Sequence, residues 1–85
     1  MSPTQIQEEV GRLLEGWCDR RCLRALREVL RGYPLSSPLT DGWGALLAAL
    51  EAVRAFGGSE LTDEEKTKLE TLIGATTAVV YRSNG

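Results

Sequence analysis

The sequence predicts an all-α fold, a small four-helix bundle with short connections. Three observations carry this: apolar residues recur at helical spacing in four successive segments, helix start and stop residues bracket those segments, and no two alternating apolar runs offer themselves as paired strands. The 85 residues make one domain and leave no room for a second, so residues 1–85 are read as a single helical domain. A chain of this length buries only ~60–65% of the surface its unfolded form exposes, which gives an adequate core and no more.

Ser2-Pro3 opens the first helix, with Ser as N-cap and Pro in the first turn, where its missing N–H costs nothing. Ile6, Val10, Leu13, Leu14 and Trp17 then follow a 3.6-residue stripe, and Gly16 is expected to mark the end. The second helix is expected from about Cys18 to Arg31, with Cys22, Leu23, Leu26, Val29, Leu30 and Tyr33 as its stripe and Gly32 and Pro34 as its stop. "PLSSPLTDG" is the one extended loop. Thr40 or Asp41 caps a third helix carrying Trp43, Leu46, Leu47, Leu50, Val53 and Phe56, which Gly57-Gly58 end. In "LTDEE", Thr62 and Glu65 make a capping box, and Asp63 and Glu64 suit the positive end of a helix dipole. The fourth helix carries Leu69, Leu72, Ile73, Thr76, Val79 and Val80. Its β-branched tail, residues 76–81, reads as strand by propensity alone and as helix for want of a strand partner.

Net charge is −2 and the pI about 5.1, a balance that argues against a dedicated polyanion binder. The charge is segregated, however. Residues 20–31 hold five arginines against Glu28, while residues 59–70 hold five acids against Lys66 and Lys68, and two oppositely charged segments in one small domain can simply face each other. On a continuous helix Arg20, Arg24, Arg27 and Arg31 fall within about 60° of one another. Three uses fit such a stripe: the polar face that any amphipathic helix needs, a row of guanidinium forks facing carboxylates on a protein partner, or a helix laid along nucleic-acid phosphates.

Cys18 and Cys22 share a face at i and i+4. Two cysteines without any histidine fall short of the four ligands a zinc site wants, and the spacing is not the CxxC redox pattern. Both are expected to be buried as small hydrophobes. The aromatic residues Trp17, Tyr33, Trp43, Phe56 and Tyr81 are expected in the core or in end-of-helix packing.

Two windows, "GWGALLAAL" and "TLIGATTAVVY", contain no charge. A helix without a charged face is central in its fold or lies under something else. In the fourth helix Thr71, Gly74, Ala75 and Ala78 form a face of small residues opposite the apolar stripe, and this face is read as a self-association or partner surface.

Absent histidine removes the usual general base, the commonest metal ligand and the physiological pH switch together. No nucleophile–base pair or metal set is legible, so the expectation is no catalysis, no cofactor and no metal. The functional expectation is a non-catalytic helical protein-interaction module: a homodimer, an adaptor, or a regulator or inhibitor of another protein. The alternative is a nucleic-acid-binding regulator that uses the arginine-rich second helix. No basic-plus-apolar signal segment stands at residue 1 and no apolar run approaches ~18–20 residues, so a cytoplasmic location without membrane contact, and reduced thiols, are expected.

Overall fold

Ser2 opens helix α1, Pro3–Asp19, with a reciprocal cap: its hydroxyl accepts the Gln5 N–H at 3.2 Å, and Gln5 Oε1 accepts the Ser2 N–H at 3.0 Å. The structure is a computed structural model that describes residues 2–33 and 40–84, with the side chains of 40, 41, 83 and 84 left aside. Ile6, Val10, Leu13 and Trp17 form the buried stripe of α1. Each such side chain, fully buried, contributes about 1.5–3 kcal/mol.

Gly16 does not end this helix, contrary to expectation. Trp17 completes the stripe and is wholly buried, so the helix gains by running through Gly16 to Asp19. It stops two residues later in a Schellman motif. The Cys22 N–H reaches back to the Trp17 carbonyl at 2.8 Å and the Arg21 N–H to the Cys18 carbonyl at 3.2 Å. Arg21 takes the left-handed conformation this requires, at φ 57°.

Helix α2 spans only Leu23–Val29, not Cys18 to Arg31. The reversal at Arg20-Arg21 divides the expected segment, so Cys18 belongs to α1 and is exposed, while Cys22 sits at the α2 N-cap and is buried. The pair therefore does not share a buried face. Past α2, the backbone at Gly32 comes so close to the third helix that a Cβ there would lie 2.7 Å from Leu46 Cα. Glycine is needed at this position for the approach of two backbones. The expected loop over residues 34–39, the stop at Pro34 and the choice between Thr40 and Asp41 as cap lie outside the described residues and side chains.

Helix α3, Thr40–Ala52, runs without a break into a π-helical turn, Val53–Gly57, and then a 3-10 turn, Gly58–Glu60. Helix α4, Asp63–Asn84, begins with the expected capping box: Glu65 Oε1 accepts the Thr62 N–H at 3.0 Å and Thr62 Oγ1 accepts the Glu65 N–H at 3.1 Å. Residues 76–81 are helical. Among the described residues there is no strand, and Val79 and Val80 pack part of their surface against the core, which outweighs their intrinsic preference.

The four helices enclose one core. α4 packs against α3 and α1, and α2 packs against α1, α3 and the π-helical turn. Trp17, Ile6, Leu46, Leu50, Leu69 and Leu72 are its largest fully buried side chains. The uncharged window of α3 is explained by position: Trp43, Leu46, Ala49 and Leu50 are buried, and its solvent side is closed with Ala45 and Ala48. No helix of the described residues is long and apolar enough to cross a membrane.

Candidate interaction surface

The turn between α1 and α2 is pinned from the far side of the molecule by the segment that leads into α4. Glu60 Oε1 accepts the N–H of Arg24 at 2.9 Å and of Ala25 at 3.0 Å, so it caps α2, whose own N-cap residue, Cys22, makes no side-chain cap. The Arg20 guanidinium completes the staple, donating to the Glu60 carbonyl at 2.8 Å and to Glu65 Oε2 at 2.6 Å. The Cys22 thiol lies 3.2 Å from the same guanidinium.

These contacts fix the protonation of Glu65. Burial opposes its charge, but the Arg20 guanidinium and the Thr62 N–H outweigh it, and the carboxyl is held below its ordinary range. The Trp17 N–H makes no hydrogen bond among the described residues. Arg20 is correspondingly raised, first by its hydrogen bond to Glu65.

Arg20 therefore leaves the expected four-arginine stripe. It lies at the C-cap of α1 and is consumed by internal partners, because the chain reverses at the next residue. Arg31 is exposed but pairs with Glu28 at 3.4 Å. Arg24 and Arg27 are exposed on α2 and make no ion pair with any described residue.

Beside them stands an aromatic residue expected in the core or in end-of-helix packing. Phe56 is 68% exposed. At a regular 3.6-residue pitch it falls at the edge of the α3 stripe, and the wider π-helical turn carries it further from the core, while Val53 and Gly57 are the buried residues of that turn. A Cβ on Gly57 would lie 3.0 Å from Ala25 Cα, so the absent side chain lets this turn rest on α2. Phe56 thus flanks α2 and, with Arg24, Arg27 and Glu28, lines an open groove of about 290 Å³. Leu23 and Leu30, at 69% and 55% exposed, extend the apolar surface along α2. Sequence spacing had put both in the stripe. The short helix turns them outward because Cys22, Ala25 and Val29 fill the core side.

The second predicted surface is partly dispersed. Thr71, Gly74 and Ala78 are exposed on α4, and nothing lies within 4 Å of a Cβ built on Gly74, while Ala75 is turned toward the core. The Thr71 hydroxyl is taken up by the Thr67 carbonyl at 3.1 Å. Tyr81, expected to pack, is 71% exposed at the end of this strip. Among the described residues no three His, Cys, Asp or Glu side chains gather as a metal-ligand set.

The fold defines the class, a small all-α helical bundle, and among the described residues α2 and the π-helical turn expose Arg24, Arg27 and Phe56 together. Compared with protein-family models, with curated proteins and with solved structures, the chain matches none.

Proposed function

We propose that this protein is a small, non-catalytic helical interaction module, an adaptor or a regulator of another protein, that engages its partner through α2 and the adjoining π-helical turn. One observation carries the reading: Phe56 is displayed at 68% exposure in a groove it shares with Arg24 and Arg27, and neither guanidinium makes an ion pair with a described residue. Aromatic and arginine side chains are the residue types that most often dominate binding energy. Burying a phenylalanine is worth about 1.5–3 kcal/mol, a factor of roughly ten to a hundred in affinity. The arginines add direction, since a guanidinium fork takes a carboxylate bidentately.

Nucleic acid is the second reading, favoured by the same Phe56, whose ring face is open for a base to stack on between cationic neighbours. Self-association through Thr71, Gly74 and Ala78 of α4 is a separate contact, and the native mass tests it against the 9.3 kDa of one chain.

Affinity capture with four baits separates the readings: the natural chain, Phe56→Ala, Arg24→Glu/Arg27→Glu and Gly74→Glu, each checked for helicity. A protein held by the natural chain and by Gly74→Glu, but lost from both α2-face variants, is the expected result. A protein lost only from Gly74→Glu moves the interface to α4. Recovery of nucleic acid that salt releases, and that the double arginine variant no longer holds, replaces the protein reading with the second.

A further inference from the structure

We infer that the occupant of the α2 face is an acidic amphipathic helix of a partner protein, about three turns long. This rests on the reading of that face as a docking surface and specifies its ligand. The charge argument comes from what the other arginines do. Arg12, Arg20, Arg31 and Arg54 each pair with a carboxylate of the chain, whereas Arg21, Arg24, Arg27 and Arg82 pair with none that is described, and of these four it is Arg24 and Arg27 that line the groove beside Phe56. They stand three residues apart, so their charges repeat at ~4.5 Å along the axis, about the spacing of carboxylates one turn apart on a facing helix. Glu28, the one acid lining the groove, is already held by Arg31 at 3.4 Å and leaves that excess uncancelled.

The apolar pattern carries the rest. Leu23, Arg27 and Leu30 lie at i, i+4 and i+7 on the outer side of α2, with the two leucines two turns, or ~10.5 Å, apart. Phe56 closes the groove with Arg24, Arg27 and Glu28, and Arg27 belongs to both the ridge and the groove. A helix with apolar residues at i, i+3 or i+4 and i+7, flanked by Asp or Glu, meets both features at once. An extended peptide finds no sheet edge to join, since no strand exists among the described residues. A nucleic-acid backbone would leave Leu23 and Leu30 without an apolar counterpart.

The test is selection of a helix-scaffolded random 14-residue library on the folded chain, with the affinity of enriched peptides then measured against Phe56→Ala and Arg24→Glu/Arg27→Glu. The expected result is enrichment of Asp and Glu flanking apolar residues at helical spacing. Binding of those peptides should fall at least about tenfold in either variant and weaken with salt. Enriched peptides that lack acids, or lack the helical period, yet still need Phe56 overturn the acidic helix and leave the docking surface standing. Peptides that bind all three proteins equally overturn both. A 20-nucleotide single strand bound by the natural chain, and lost with Arg24→Glu/Arg27→Glu, overturns both in favour of nucleic acid.

Discussion

The Glu60 carboxylate accepts the Ala25 N–H at 3.0 Å across 35 residues of sequence, and the same oxygen takes the Arg24 N–H at 2.9 Å. A helix of seven residues is too short to hold itself together, so α2 depends on this remote cap. Glu60→Ala is expected to cost about 1–2 kcal/mol in chemical denaturation, as removal of a good N-cap does. Glu60→Gln keeps an acceptor oxygen and should cost about half as much. Amide exchange at Arg24 and Ala25 should quicken in the alanine variant before that of α4. Equal stability of both variants would show the cap to be idle.

Arg21 holds a conformation that costs most L-residues roughly 1 kcal/mol or more, because the Schellman turn between α1 and α2 demands a positive φ. Glycine has no such penalty but gains freedom in the unfolded chain. Arg21→Gly is therefore expected to raise stability by about 0.5 kcal/mol, or ~2–4 °C in Tm for a domain of this size. A lower Tm would mean that the Arg21 side chain makes contacts worth more than the strain.

The legible and illegible parts of the fold divide by range. Ile6, Val10, Leu13 and Trp17, and the Thr62–Glu65 box, announce themselves within one helix, because spacing and caps are local signals. The Arg20 staple and the Glu60 cap join residues 35 to 45 apart, and the opposite charge of residues 20–31 and 59–70 says that the two segments can face each other but not which side chains meet. Phe56 was misplaced for a related reason. A pitch of 3.6 residues predicts its side correctly only while the helix stays α, and the π-helical turn is favoured by packing on Ala25, which only the tertiary structure brings near. Of the expected basic stripe, Arg24 and Arg27 are exposed without an ion pair to a described residue, Arg31 is exposed but paired with Glu28, and Arg20 is taken up by Glu60 and Glu65.

Glycine positions split by what surrounds them. At Gly32 and Gly57 a Cβ would press into the backbone of α3 or of Ala25, so alanine should destabilise at each by about 1–3 kcal/mol, in line with overpacking elsewhere. At Gly44 and Gly74, inside α3 and α4, nothing lies within 4 Å of the new Cβ, and alanine should stabilise by about 0.5–1 kcal/mol. Thermal unfolding of the four single variants checks the signs. Stabilisation by Gly32→Ala would show that the helices do not approach as closely as described.

Acid should loosen the molecule at the staple. Glu65 is held below the ordinary 4.5, with burial opposing and Arg20 and Thr62 prevailing, and Glu9 is lowered chiefly by its hydrogen bond to Lys68. The folded state thus binds fewer protons at these groups than the unfolded state, so their contribution is complete above the ordinary value and lost as pH falls below it. Stability should be flat from neutrality to about pH 5 and then decline. Glu65→Gln should lower the plateau and make the decline shallower. An acid limb of unchanged steepness in this variant would remove Glu65 from the account. The raised Arg20 releases its proton only in strong alkali and has no part in this window.

Two residues sit on the wrong side for their chemistry, and the difference between them bears on function. Thr76 is fully buried with a hydroxyl that makes no hydrogen bond among the described residues, while Phe56 is apolar and outside. Thr76→Val keeps the shape and removes an unsatisfied polar group, so it should stabilise by up to about 1 kcal/mol. Phe56→Ala removes a side chain that the core does not use, and should change stability by less than about 0.5 kcal/mol. Leu50→Ala, from the centre of the core, should cost about 2–5 kcal/mol as the reference. A loss from Phe56→Ala close to that of Leu50→Ala would make Phe56 part of the fold. The groove beside Arg24 and Arg27 would then lose its reason for being read as an interface.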